Sequence, residues 1–311
     1  MKQKVLGLAV VAIMLTLVLV QFEREREAER TLDGSVLLLP ELKTALSSVS
    51  EIEILNGEKE ARVTILKQGE SWVIREKSGY LANFEILSKL LIEVANLEVA
   101  EQKTSKAENH SKLGLADIGE SMGVIVRISA DRVYEMMIGQ TSQTLGTFVR
   151  KPEEDQVYLV EQSIEVSMDP IDYLDSVFLS VESSDVQTVT IQSPDSSLKA
   201  VRDEATKKLV IEDIPEGAEL RYDTVVDSLA RIFINLRFDD VQPYRSETFS
   251  QPTVTTVTTS SGESIIIRSQ NIEETFWVHL EEDWQYKVSE FTYNELNKSM
   301  QDMLKTEAEN E

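Results

Sequence analysis

Two histidines, His110 and His279, and 55 carboxylates are what this 311-residue chain has for moving a proton or holding a metal; it contains no cysteine. A thiolate nucleophile is therefore impossible, and histidine, whose ordinary pKa lies nearest neutrality, is the first side chain to weigh. His110 lies in the polar run Lys106-Ala107-Glu108-Asn109-His110-Ser111-Lys112, and His279 alternates with Trp277 along a strand-like run. Neither has a partner at zinc-ligand spacing, so plain surface or strand roles are expected. The acidic triplets Glu153-Glu154-Asp155 and Glu281-Glu282-Asp283 lack the ligand spacing and the glycine of a calcium loop and read as turns. Glycoside hydrolysis needs only two carboxylates at the right separation, but among so many acids no pair is singled out. There is no Gly-x-Ser-x-Gly elbow, phosphate-binding glycine loop or dinucleotide fingerprint. Trp72, Trp277 and Trp284 could stack on a sugar, although core or rim packing suits their strand positions better. The chain reads as a non-enzyme with no catalytic residue, metal ligand or cofactor.

The elements that carry these residues occur twice. Val49 to Glu101 is matched by Val186 to Asp240: Ile52-Glu53-Ile54 and Trp72-Val73-Ile74 align with Val189-Thr190-Ile191 and Leu209-Val210-Ile211 at a shift of 137. Leu87, Leu90, Leu91, Val94 and Leu97 align with Val226, Leu229, Ala230, Phe233 and Leu236 at a shift of 139. Such repetition is an internal control, because a residue type found at one place in both copies is demanded by the fold. Both acidic triplets occupy equivalent hairpin turns, at a shift of 128, and the control assigns them to turn chemistry. Residues found in one copy only are the better functional candidates. The segment Gln102 to Asp117 has no clear counterpart, since the second copy has Val241-Gln242-Pro243-Tyr244-Arg245 instead. Lys103, Thr104, His110, Lys112, Leu113 and Leu115 in this segment are the candidate partner contacts.

The spacing predicts amphipathic helices over Asn83–Leu97 and Asp223–Leu236, each needing a sheet face to cover. Strand-like runs at 124–128 with 132–139, 148–150 with 157–160, 254–259 with 264–268, and 276–278 with 286–288 form hairpins, so the sheets should be antiparallel. Short helices at Lys43–Ser48, Asp169–Leu179 and Tyr293–Leu304 complete an α+β reading. The expected divisions are a signal anchor with charged stalk at 1–30, a first repeat at 31–182, a second at 183–304 and a polar tail at 305–311.

Val5 to Val20 is apolar apart from Gly7 and Thr16, and as a helix spans roughly 24 Å. With Phe22 and the lysines before it, residues 5–22 are long enough to serve as a membrane anchor. No small-residue cleavage motif follows, so an uncleaved anchor is expected ahead of a cleaved signal. Lys2 and Lys4 favour a cytoplasmic amino terminus, which places the remainder outside the cytoplasmic membrane, in a periplasmic location. Residues 1–30 carry five basic and four acidic side chains, a net of +1, leaving −25 of the total −24 on the remainder. A surface so acidic repels phosphate backbones, and nucleic acid is not an expected partner.

Leu38-Leu39-Pro40 with Leu42, Val49 to Ile54, Trp72-Val73-Ile74, Gly79-Tyr80, Lys103-Thr104 and Lys112-Leu113-Gly114-Leu115 resemble bacterial proteins carrying domain of unknown function 4340. Leu81 stands where that family often has proline, and Leu209 replaces a second tryptophan. The resemblance implies an envelope protein associated with an ABC-type permease or a second anchored auxiliary subunit, and it carries over no catalytic residue. An accessory subunit of such a transport system is the expected function. An extracytoplasmic binding module for an envelope polymer or exported substrate is the alternative, with a hydrolase third.

Overall fold

The structure, a computed structural model, describes residues 36–305 apart from 118, 120, 143–145 and 223. The anchor expected at 5–22, the stalk at 23–30 and the tail beyond Lys305 lie outside the described residues. Among the described residues no helix is long and apolar enough to cross a membrane. The chain divides into two compact units between Tyr173 and Leu174. The sequence boundary after 182 falls nine residues later; Val177–Leu179 belongs with the second unit because it pairs with Leu236–Arg237.

Among the described residues the first unit contains ten strands: β1 (Val36–Leu37), β2 (Glu51–Leu55), β3 (Ala61–Gln68), β4 (Ser71–Ile74), β5 (Tyr80–Leu81), β6 (Glu98–Gln102), β7 (Val124–Ser129), β8 (Val133–Thr141), β9 (Thr147–Arg150) and β10 (Val157–Val160). They form one sheet in the order β1-β6-β10-β9-β8-β7-β2-β3-β4-β5, antiparallel throughout. Consecutive hairpins make that outcome natural, since tight turns can join only antiparallel neighbours. Two helices accompany them, α1 (Leu42–Ala45) and α2 (Phe84–Ala95). The Asn83 side chain caps α2 by accepting from the N–H groups of Glu85 and Ile86, at 3.0 and 3.2 Å. Leu87, Leu90, Leu91, Val94 and Ala95 form its buried stripe, as their spacing predicts.

The second unit contains β11 (Val177–Leu179), β12 (Val186–Gln192), β13 (Ser197–Arg202), β14 (Leu209–Ile211), β15 (Leu236–Arg237), β16 (Asp240–Pro243), β17 (Thr253–Thr259), β18 (Ser264–Ile272), β19 (Thr275–Leu280) and β20 (Trp284–Val288). Eight of these form an antiparallel sheet in the order β14-β13-β12-β17-β18-β19-β20-β16, while β11 and β15 pair separately. Pro243 sits on the edge strand β16, where a missing N–H leaves no interior ladder bond unmade. Mostly antiparallel sheets with a minority of helix are compatible with the α+β reading.

Three expected helices are corrected. Asp223–Leu236 yields only α3 (Ser228–Arg231), flanked by turns with i to i+3 bonds such as Leu229 N to Val226 O at 3.1 Å and Ile234 N to Arg231 O at 3.3 Å. The β-branched residues Thr224, Val225, Val226, Ile232 and Ile234 resist regular helix, and the Ser228 hydroxyl donates to Val225 O at 2.6 Å. Val226, Leu229, Ala230, Phe233 and Leu236 are nevertheless buried as their periodicity requires. Asp169–Leu179 is a single 3-10 turn, Pro170–Tyr173, followed by β11. Tyr293–Leu304 is displaced: α4 (Glu290–Leu296) begins earlier at the Ser289 cap, and α5 (Met300–Met303) restarts from a capping box at Ser299 and Asp302.

Candidate functional site

One row of side chains crosses five strands of the first sheet. Leu55 faces Ile125, Ile125 faces Met137, Met137 faces Arg150, and Arg150 faces Val157, so all five share one face. The four apolar members are buried with Leu115 in one cluster, against which Leu113 and Phe148 pack. The segment that sequence reasoning singled out is thus the cover over an apolar stripe. Its path begins as a continuation of β6, with Lys103 N donating to Val157 O and Val157 N to Thr104 O, both at 2.8 Å. The Thr104 hydroxyl accepts from Lys106 N at 3.1 Å, and a 3-10 helix follows over Ala107–Leu113. Gly114, at φ +70, ends that helix in the left-handed region that glycine enters without strain. Gly139 on β8 permits the close approach: a Cβ there would lie 2.3 Å from Leu113 O and 2.7 Å from Leu115 Cγ.

Two buried polar side chains fasten the cover. Arg150 is 1% exposed. Its Nε donates to Leu115 O at 3.1 Å, its Nη1 to Pro152 O at 2.8 Å, and its Nη2 to the Asp117 carboxylate. Removing a guanidinium from water is costly unless its donors are satisfied, and here one ion ties the segment to the β9–β10 turn. His110, 2% exposed, sets Nε2 2.9 Å from Asp155 O in the same turn. The backbone of the turn holding Glu153-Glu154-Asp155 therefore faces these two side chains, while the Glu154 carboxylate pairs with Lys151 at 3.2 Å. In the second triplet, Glu282 accepts from the Tyr286 hydroxyl at 3.0 Å and Glu281 pairs with Arg268 at 3.2 Å. Among the described residues no group of three or more His, Asp or Glu side chains is placed to hold a metal ion.

Beside the cover lies an open cleft of about 500 Å³. Lys103, Thr104, Lys112 and Leu113, four of the six sequence candidates, line it; His110 and Leu115 are buried beneath and act as fasteners. Lys103 pairs with Glu101, two residues earlier on the same segment, and Lys112 donates to Asn109 Oδ1 at 2.9 Å. Sequence reasoning missed Phe148, which joins this wall because it faces Leu159, which in turn faces Glu101. Only strand register carries that signal.

His279 and the three tryptophans do not line this cleft. His279 is buried on β19, with Nδ1 2.9 Å from Trp284 O and its ring stacked on Tyr244 at 3.8 Å between centroids. Trp72 is buried, while Trp277 and Trp284 are half-buried. A second hollow of about 500 Å³, lined by Arg231, Ile234, Arg237 and the largely exposed Phe291, lies in the second unit. Sequence reasoning did not anticipate it, because it forms where α3 and the turn after it, at Ile234 and Asn235, meet α4, at Phe291 and Glu295, which are far apart in the chain.

A family model described as Domain of unknown function (DUF4340) matches residues 72–256. No curated protein and no solved structure matches the chain.

Proposed function

The chain belongs to the family defined by domain of unknown function 4340, and from that membership we propose that it is a non-enzymatic accessory protein of the bacterial envelope. In this reading residues 5–22 anchor it in the cytoplasmic membrane, and two tandem α+β repeats lie in the periplasm. They act by protein contact with an ABC-type permease or a second anchored subunit. The repeat is supported by strand order: β6-β10-β9-β8-β7-β2-β3-β4 in one sheet has the same sequence of roles as β16-β20-β19-β18-β17-β12-β13-β14 in the other.

The observation that carries the contact reading is the specialised cover of the first unit. The row Leu55–Ile125–Met137–Arg150–Val157 is apolar but for one arginine, whereas the row at the same place in the second sheet is Gln192–Val254–Arg268–His279–Gln285. Both copies carry a 3-10 segment over this row, in the second unit Ser246–Phe249, where Tyr244 stacks on His279 and Arg245 N donates to Gln285 at 2.8 Å. What sets the first copy apart is the apolar row and the longer segment over it, which presents Lys103, Lys112 and Leu113 at an accessible cleft.

Purification of the full chain from its native membranes tests this reading. A permease should co-purify with the wild-type chain and be lost from Lys103→Gln/Lys112→Glu, which changes two cleft-lining cations outside the buried cluster, with thermal stability retained. Equal recovery with both chains would remove the cleft from the contact. Retention of carbohydrate or peptide in place of a permease would favour the binding-module alternative.

A further inference from the structure

The second unit, residues 174–311, carries 12 lysines and arginines against 27 aspartates and glutamates, a net of −15. Four of those cations, Arg202, Lys207, Lys208 and Arg231, nevertheless line a single pocket of about 250 Å³. None is within ion-pair distance of a carboxylate among the described residues. The one carboxylate lining the pocket, Asp227, accepts from Leu209 N at 2.9 Å. Asp203, in the neighbouring turn, accepts from both the N–H and the hydroxyl of Thr206 at 2.7 Å; these bonds first, and the Lys207 charge to a smaller extent, hold its carboxyl below the ordinary value. Cations surrounded by such an excess of acids would ordinarily be neutralised; these four face a common space with a net lining charge of +3.

Arg202 is also held in place. Nε donates to Val186 O, Nη1 to Lys207 O and Nη2 to Ser183 O, each at 2.6 Å. Three of its five N–H groups are spent on neutral carbonyls, which leaves the charge uncompensated and one donor on each terminal nitrogen. Lys207, at φ 59, occupies the left-handed region, which turns its carbonyl onto the guanidinium. Ser183 and Ser184 add hydroxyl groups to the wall.

We propose that this pocket binds a compact phosphate group. A carboxylate would neutralise only one of the four cations, whereas a phosphate monoester or diphosphate brings two or more charges and several acceptor oxygens. The volume is below the roughly 300–1,000 Å³ of sites for drug-sized ligands, which limits the occupant to the anionic group itself. A polyanion is disfavoured, because its charges more than a Debye length of about 8–10 Å from the four cations would be screened from them and would lie against the acidic surface. The inference is independent of the accessory role: it concerns other residues and needs no protein partner.

Titration of the full chain in neutral detergent with inorganic phosphate and with pyrophosphate, followed by calorimetry and phosphorus NMR, tests it. Saturable one-to-one binding is expected, weakened about ten-fold or more by Lys208→Gln and by Arg231→Gln, each removing a charge-assisted contact. Lys199→Gln, which removes a cation paired with Glu212 outside the pocket, should bind as wild type. Arg202→Gln is avoided as the decisive variant because it also breaks three structural bonds. No saturable change by either method, or undiminished binding in the Lys208→Gln/Arg231→Gln double variant, would overturn the site. Repeating the titration in phosphatidylcholine vesicles with and without phosphatidic acid identifies the source of the group. A lipid headgroup competes and weakens pyrophosphate binding in the wild type only, while a free phosphate ligand leaves it unchanged.

Discussion

At the scale of single residues, Arg150 separates two effects that are usually entangled. Its partner Asp117 is 65% exposed at the side chain, so that ion pair is screened on one side, whereas the bond to Leu115 O is buried and that to Pro152 O is part-buried. Asp117→Asn is therefore expected to cost about 1 kcal/mol or less. Arg150→Leu, which leaves carbonyls unsatisfied beneath the cover, should cost about 3–5 kcal/mol. Denaturant unfolding of the first unit checks both; a larger loss for Asp117→Asn would make the ion pair the true fastener. Gly139→Ala addresses the same cover from the sheet side. The new methyl group must displace the backbone at Leu113, so hydrogen exchange over 107–115 should quicken while exchange in β2 and β3 stays unchanged.

Among elements, α2 and its relative in the second unit illustrate how equal hydrophobic spacing reaches different backbones. In α2 the stripe is built from Leu87, Leu90, Leu91 and Val94 behind an asparagine cap, and the helix runs twelve residues. In the second unit the same stripe is threaded through β-branched residues, and only four residues are helical. Asn83→Ala should cost about 1 kcal/mol by leaving the N–H groups of Glu85 and Ile86 without their acceptor, measurable by thermal unfolding. The start of α2 is also tied to the end of its unit, where Asn83 N donates to Tyr173 O at 2.8 Å. Burial pushes the Tyr173 hydroxyl, which donates to Ser167 O at 2.9 Å, from 10.0 up to about 12. Because the raised pKa favours the neutral form in the folded state, its contribution is complete below pH 10 and is lost as pH rises from 10 toward 12. Tyr173→Phe should flatten stability across that window, and an unchanged alkaline slope would show that other groups govern it.

For the whole molecule, the hairpins, the helix stripe of the first unit and the turn nature of both acidic triplets were legible from alternation, spacing and internal comparison. Other parts were not. β3 and β13 escaped notice because Ala61–Gln68 and Ser197–Arg202 mix charged with apolar residues, and what makes them strands is the neighbours on both sides. The unusual segment 102–117 stood out by lacking a counterpart, but sequence alone made His110 and Leu115 equal in standing to Lys112. Tertiary structure divides them, burying the first two and leaving Lys112 at a cleft. At this scale the anchor reading predicts that full-length chain fractionates with membranes, whereas a chain begun at residue 31 does not; membrane association of the shortened chain would place the attachment elsewhere. By itself the sequence determined which residues of the hairpins and helical stripes turn inward and the excess of negative charge, because periodicity and composition are properties of consecutive residues. Only the tertiary structure decided which residues share a face. The apolar row through Arg150, the cover fastened over it and the four converging cations of the second unit depend on strand register and chain return, which bring together residues that spacing alone does not relate.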